Sequence, residues 1–375
     1  DLHASDRRPP RKIQSGLNVS FDKQRILVVG GAGFVGSTLC HMLLGRGAAA
    51  VTVVDNLLSA DAANLPNDKR LSFIYGSIAD DSVLARIRDE YDYIFHLATY
   101  HGNQSSIADP IADHANNTYT TLKLCDHVRD FKAIKKLVYA SAGCTVAEKT
   151  FDDVEATDED APVSLYHDTP YQMSKIIGEF YGNYYFLRYK LPFVKARFQN
   201  VYGPREILGA GQWRKTPATI WRNVTPTFIW KALHKEALPL DNGGIATRDF
   251  IYSEDIAEGL MACALRGKAG EVYNIASGVE TSIRELAETI NRLTNNPTPA
   301  AIEPARNWDR SGKRFGSTEK SRKELGFEAK MPLEEGLKRT VEWTIANKGL
   351  IEACISRHSY FMEQEKQAAS SKKVA

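Results

Sequence analysis

The chain has 375 residues, 43% of them hydrophobic and 25% charged, and its 48 Lys and Arg against 46 Asp and Glu leave a net charge of +2. That length accommodates one large α/β unit with a smaller appendage, and that balance supplies no global field to recruit nucleic acid or an anionic membrane. No stretch reaches the ~20 apolar residues of a membrane-spanning helix, and Cys40, Cys125, Cys144, Cys263 and Cys354 are odd in number and scattered. The expectation is a cytoplasmic protein with reduced thiols, no nucleic-acid partner and no membrane partner. Residues 1–24 are polar, carry Arg7-Arg8-Pro9-Pro10-Arg11-Lys12 and lack the apolar core of a signal peptide, so they read as a flexible tail.

The first element is the apolar run from Arg25 to Val29, a strand buried on both faces. Glycines 30, 31, 33 and 36 interrupt it, and Phe34, Val35, Leu39, Met42 and Leu43 then recur at helical spacing. Gly30, Gly33 and Gly36 fit one spacing of a dinucleotide-binding turn, and Gly31, Gly33 and Gly36 fit the other. Free N–H groups at the helix start, at Phe34 and Val35, favour a pyrophosphate. A second strand, Ala50 to Asp55, ends in an acid nineteen residues after Gly36, followed by Asn56. An acid there accepts from ribose hydroxyls and repels a 2′-phosphate, so NAD is favoured over NADP.

Strand and helix patterns continue: strand Leu71 to Tyr75, helix Asp81 to Arg88, strand Tyr93 to Leu97, helix Ile111 to Arg129 and strand Lys136 to Ser141. This alternation predicts a Rossmann-type, doubly wound parallel sheet whose strand ends line one crevice. Ser77 and Ile78 would lie near the adenine, and Leu97, Ala98 and Thr99 beside the pyrophosphate. Tyr171 to Tyr189 reads as a long aromatic helix and Pro192 to Phe198 as a strand; further on come helix Thr225 to His234, strand Arg248 to Ile251, helix Ser253 to Arg266 and strand Glu271 to Ile275. Helices near Ile283 to Leu293, Glu319 to Leu325 and Leu333 to Lys348 lack the parallel-sheet rhythm. The division is an NAD-binding domain at 25–204 and 248–276, a smaller C-terminal α/β substrate lobe from 205–247 and 277–350, and a C-terminal helix and tail at 351–375, frayed from Glu363 onward.

Tyr171-Gln-Met-Ser-Lys175 sets a phenol and an ammonium four apart, on one helical face. A tyrosine serves as a base near neutral pH only where a cation stabilises its phenolate, which Lys175 can do while also bonding the nicotinamide ribose. With Gly30-Gly31-Ala-Gly33-Phe-Val-Gly36, Asp55, Asn200-Val-Tyr-Gly-Pro204 and Arg248-Asp-Phe-Ile-Tyr252, the chain resembles the extended short-chain dehydrogenase/reductases that modify nucleotide sugars. The resemblance spans roughly Gln24 to Asn347. It implies that Tyr171 deprotonates a sugar hydroxyl while hydride passes to NAD, giving a transient keto-sugar. It also places Asn117 near Lys175, His101, Asn103 and Asn200 near the sugar and its diphosphate, and Arg205, Arg248 and Arg306 among the substrate contacts.

One position departs from that family. Where a serine or threonine follows Ser141 to orient the reacting hydroxyl, this chain has Ala142, so Ser141, Thr145 or water would take over, or oxidation at C4 would be slower than in the family. The acidic pair of 4,6-dehydratases is replaced by Gly143 and Cys144. Tyr139-Ala-Ser-Ala-Gly-Cys144 is instead similar to the segment of GDP-mannose 3,5-epimerases that carries an acid/base cysteine, and Trp213-Arg-Lys215-Thr-Pro217 to the one carrying its lysine. Protons on C3 and C5 become acidic once C4 is a ketone, and a thiolate and an amine suit their exchange. The expected function is an epimerase acting on a UDP-sugar for lipopolysaccharide synthesis. The alternatives are a dehydratase or net oxidoreductase, or a binding protein impaired by Ala142. Aromatic surface on the Tyr171 helix suggests a homodimer interface.

Overall fold

The computed structural model describes residues 20–143, 155–309 and 312–374. Six apolar runs form the strands β1 (Arg25–Val29), β2 (Ala50–Asp55), β3 (Leu71–Tyr75), β4 (Tyr93–His96), β5 (Lys136–Ala142) and β6 (Phe193–Phe198). Further strands follow: β7 (Asn200–Tyr202), β8 (Pro239–Asp241), β9 (Thr247–Tyr252), β10 (Val272–Ile275), β11 (Glu280–Ser282) and β12 (Ala301–Glu303). The order β10-β6-β5-β4-β1-β2-β3 makes a seven-stranded parallel sheet. Its direction of progression reverses between β1 and β4, the switch point where a doubly wound sheet opens a ligand crevice.

The helices are α1 (Phe34–Gly45), α2 (Asp81–Leu84), α3 (Asn103–Ala108), α4 (Pro110–Asp113), α5 (Tyr119–Val128), α6 (Pro170–Tyr189) and α7 (Val224–Leu233). Then come α8 (Ser253–Arg266), α9 (Ile283–Leu293), α10 (Leu333–Ala346), α11 (Lys348–Ser356) and α12 (Ser359–Val374). Helices α1 and α8 cover one face of the sheet, burying Leu39, Leu43, Ile256 and Leu260 against Val28, Val53 and Phe95. On the other face α5 and α6 bury Leu124, Val128 and Tyr185 against Leu27, Ile94, Leu137 and Phe193. Residues such as Val28 and Leu27 alternate between these two cores, which is why β1 is apolar throughout. Gly178 lets α6 lie directly on β5, since a Cβ there would come 2.1 Å from Tyr139 Oη. A separate core gathers Phe228, Ile229, Phe250, Leu286, Ile290 and Leu337 in the smaller lobe.

Four features differ from the expectation. The helix expected from Ile111 to Arg129 is broken by a π-helical turn at His114–Thr118, which brings the Asn117 side chain onto the backbone of Tyr100. The helix expected from Asp81 to Arg88 closes after one turn. Strand β9 pairs with β7 and β11 in a three-stranded sheet of its own, not with the main sheet. The expected frayed end is helical to Val374. Its root is pinned by the Arg357–Asp61 ion pair at 2.8 Å, by His358 Nε2 at 2.8 Å from Gly209 O, and by Phe361 stacked on Trp213 at 5.2 Å.

Candidate active site

A cleft of about 1010 Å³ runs along the strand ends, where the glycine turn, the β4–α3 loop, α6 and the smaller lobe meet. Gly30 has φ 86°, and a Cβ on it would sit 2.5 Å from Ala98 N, so only glycine permits β1 to turn beside the end of β4. Gly36 packs α1 onto that turn, where a Cβ would fall 2.2 Å from Gly30 O. Gly33 differs: a Cβ there would have only Gly30 O within reach, at 3.4 Å, and would otherwise project into the cleft. It precedes α1, whose first turn has neither a capping side chain nor an acidic residue to compete for its N–H groups. The turn is therefore shaped for a pyrophosphate. Asp55 stands at the end of β2; its Oδ2 accepts from Ala32 N at 3.0 Å and its Oδ1 from Leu57 N at 2.8 Å. Burial pushes its carboxyl up while those two backbone bonds pull it down, and the remaining lone pairs suit ribose hydroxyls. The residues present fit NAD.

Gly36→Ala is expected to weaken NAD binding at least about 10-fold, because the new methyl displaces α1 from the turn that its N-terminus must face. Titration of the intrinsic fluorescence with NAD, beside a wild-type control of equal helicity, checks it.

Helix α6 brings the catalytic candidates in. Thr169 caps it by accepting from Gln172 N at 3.4 Å and itself donates to Asn103 Oδ1 at 2.8 Å, while Tyr171 N donates to Ser106 Oγ at 3.1 Å. The start of the helix is thus tied to the β4–α3 loop. Lys175 is 4% exposed; its ammonium donates to Ala140 O at 3.0 Å and lies 5.7 Å from the centre of the Tyr171 ring. Both residues line the cleft with the glycine turn. Ser141 also lines it, yet its hydroxyl proton is directed at Glu179 Oε1, 2.6 Å away, and Arg197 holds the same carboxylate by Nε at 2.9 Å and Nη2 at 3.0 Å. Toward a substrate, Ser141 therefore offers lone pairs only. Ala142 lines the cleft beyond it.

Of the cofactor candidates, Gly30, Gly33, Phe34, Val35, Asp55, Asn56, Ser77, Ile78, Leu97, Ala98 and Thr99 line the cleft. Asn117 does not: its Oδ1 accepts from Tyr100 N at 2.6 Å and its Nδ2 donates to Asp113 Oδ2 at 2.8 Å, so its amide holds the β4–α3 loop from behind. His96 is a core residue, 2.8 Å from Thr121 Oγ1, with burial pushing it down to about 3. Of the substrate candidates, His101, Asn103, Asn200, Arg248 and Arg306 line the cleft. Arg248 pairs with Asp309 at 2.7 Å, and burial lowers it to about 10, still cationic. Arg306 pairs with Asp241 and lies 4.9 Å over the Trp308 ring.

Two candidates lie elsewhere. Lys215 takes a left-handed φ of 60°, is two-thirds exposed and pairs with Asp109 at 2.7 Å outside the cleft wall. Its neighbour Arg214 turns inward instead, donating to Leu58 O at 3.3 Å. Arg205, at φ 76°, is absent from the wall and lies within electrostatic reach of Glu254 and Tyr252. Cys144 and Thr145 lie outside the described residues. Glu206, Arg222 and Asn223 do line the cleft, and the sequence reading passed over them. Only Asn223 carries a local signal, an asparagine directly before an apolar helix.

A parallel sheet with a glycine turn, an acid at the end of β2 and a Tyr-x-x-x-Lys helix on one cleft defines a dinucleotide-dependent enzyme of the extended short-chain dehydrogenase type. The chain belongs to the NAD dependent epimerase/dehydratase family, whose model matches residues 26–276. It is 31% identical over 325 residues to UDP-glucose 4-epimerase of Mycolicibacterium smegmatis, an alignment covering 85% of this chain and 98% of that one. The crystal structure of the Bordetella bronchiseptica enzyme WbmF with NADH is 56% identical and superposes with a TM-score of 0.83, covering 92% of this chain and 98% of that one. The same enzyme in complex with NAD+ and UDP matches at 57% identity and a TM-score of 0.82, covering 91% and 98%. The cofactor is NAD.

Proposed function

We propose that the protein is a nucleotide-sugar epimerase acting on a UDP-sugar through a transient 4-keto sugar. The observation that carries this reading is that Tyr171 and Lys175 line the same cleft as Gly30, Gly33 and Asp55. The NAD and UDP found together in WbmF support the choice of nucleotide. Bound NAD supplies a reversible hydride acceptor. Tyr171 Oη takes the proton of the C4 hydroxyl and later returns it, and the Lys175 charge stabilises the phenolate between those events. Arg248 and Arg306 hold the diphosphate, and His101, Asn103 and Asn200 face the sugar. Ser141, whose own proton goes to Glu179, accepts a hydrogen bond from a neighbouring sugar hydroxyl, not from the one that reacts. Cys144 is retained as the acid/base at the carbon beside the ketone; Lys215, on the surface, is not.

Residues 25–204 and 248–276 act in this reading as the NAD-binding domain, and 205–247 with 277–350 as the substrate lobe, whose core also takes in Tyr202 of β7 and Phe250 and Tyr252 of β9. The enzyme is cytoplasmic, in keeping with the buried free thiols of Cys40, Cys125, Cys263 and Cys354, and its product feeds surface polysaccharide such as lipopolysaccharide. It is a homodimer paired two-fold through α6. Met173, Phe180, Tyr184 and Leu187 form an exposed stripe on that helix at spacings of seven, four and three. Double replacement of Phe180 and Leu187 by Glu is expected to give a monomer with an unchanged circular dichroism spectrum, read by sedimentation velocity; an unaltered sedimentation coefficient would refute the interface.

The function is tested by incubating the NAD-loaded protein with UDP-sugars in deuterated water and reading the products by NMR. Altered stereochemistry without accumulating NADH is the expected result. Deuterium at C3 or C5 assigns the inversion to a carbon beside the ketone, and inversion at C4 without exchange removes Cys144 from the mechanism. Net NADH formation refutes epimerisation.

A further inference from the structure

Glu206 follows the left-handed turn at Arg205 and precedes Ile207 and Leu208, which enter an apolar core. It is 4% exposed. Its Oε1 accepts from Asn223 Nδ2, and Asn223 Oδ1 faces His101 Nε2 at 3.4 Å. That chain fixes which oxygen is engaged. Oε2 is buried and has no hydrogen-bond partner among the described residues, on a residue that lines the cleft. Thr227, one helical turn beyond Asn223, also lines the cleft with a buried, unpartnered hydroxyl. Arg222 Nε on the same stretch of wall is also buried and unpartnered among the described residues; buried polar atoms are nearly always satisfied, so these three together mark the place of a polar ligand group. Packing alone would be served by an apolar side chain.

We propose that Glu206 determines specificity in the sugar subsite: Oε2 of its carboxylate accepts a hydrogen bond from a donor on the hexose, a hydroxyl or an acylamino N–H, with Thr227 Oγ1 as the second contact. The inference rests on the reading of the cleft as a UDP-sugar site. Burial raises the Glu206 carboxyl to about 7, against the pull of the Asn223 bond and of the Arg222 charge. The other titratable group facing it, through Asn223, is His101, which burial and the charges of Arg222 and Arg214 keep neutral. A hexose donor favours the ionised carboxylate, so affinity for the sugar rises with pH through about 7.

The test is calorimetric titration of NAD-loaded wild type, Glu206→Gln and Thr227→Val with UDP, UDP-glucose and UDP-N-acetylglucosamine. In Glu206→Gln the affinity for UDP stays within about 2-fold, while that for a UDP-hexose falls about 10-fold or more and loses its rise with pH. A loss confined to UDP-N-acetylglucosamine assigns the donor as the acylamino N–H; a loss that includes UDP-glucose assigns it as a ring hydroxyl. Thr227→Val shows the same selectivity for hexose over bare UDP. Equal losses for UDP and UDP-hexose would make Glu206 merely a support for Asn223 and overturn the proposal, as would unchanged affinities. Wild-type protein that binds no UDP-sugar overturns the epimerase reading with it.

Discussion

Tyr171→Phe is expected to lower turnover by ~10²–10⁴-fold, the range associated with loss of one general acid/base, while fold and NAD binding persist. The substitution removes a single oxygen. The ring keeps its place near the Lys175 ammonium, and the backbone bond from Tyr171 N to Ser106 Oγ that orients the start of α6 is untouched. Gly30, Gly33 and Asp55, the residues proposed to hold the dinucleotide, stand on other elements of the cleft. The measurement is the initial rate of product formation beside NAD content after gel filtration. Turnover within a few-fold of wild type would remove Tyr171 from the chemistry.

Glu179→Ala is expected to destabilise the protein by ~3–5 kcal/mol, a large part of a typical domain's 5–15 kcal/mol. Glu179 stands on α6 but receives Ser141 from β5 and two guanidinium nitrogens, Nε and Nη2, of Arg197 from β6, with Arg197 Nη1 reaching Glu159 O at 3.1 Å. The Arg197 and Glu179 side chains are only 5% and 9% exposed. Removing the carboxylate leaves a buried cation without its counter-charge, the costly way to break such a pair. Glu179→Gln keeps an acceptor and the volume and should lose less. Guanidinium unfolding with an unchanged m-value reads the difference; a loss below 1 kcal/mol would mean that water replaces the carboxylate. Ser141 freed from Glu179 would also regain its proton for a substrate.

The features that the sequence disclosed are those whose chemistry lies within one turn of chain. The glycines, Asp55 and the Tyr171–Lys175 spacing each state a local geometry, and β1, β2 and α6 follow from it. The long alternation of apolar strands and helices similarly announces the parallel sheet, because strands buried on both faces must be apolar throughout. Residues placed by distant partners were not legible. Lys215 stands outside the cleft, where Asp109, over a hundred residues earlier, pairs with its ammonium beside a left-handed turn. Asn117 is spent on Tyr100 through a π-helical turn that no periodicity marks. Glu206 carries no motif; its role depends on Asn223, seventeen residues on, leaving one oxygen unmatched. The C-terminal helix, polar in sequence, is anchored near its root by Arg357, His358 and Phe361.

The central claim is that hydrogen leaves C4 of the sugar and returns to it within one cleft, with Tyr171 handling the hydroxyl proton. UDP-sugar labelled with deuterium at C4, turned over by the NAD-loaded enzyme in ordinary water, tests this most directly. The account predicts an epimerised product that keeps its label at C4, made at a negligible rate by Tyr171→Phe. Epimerised product with the C4 label washed out into solvent would contradict it.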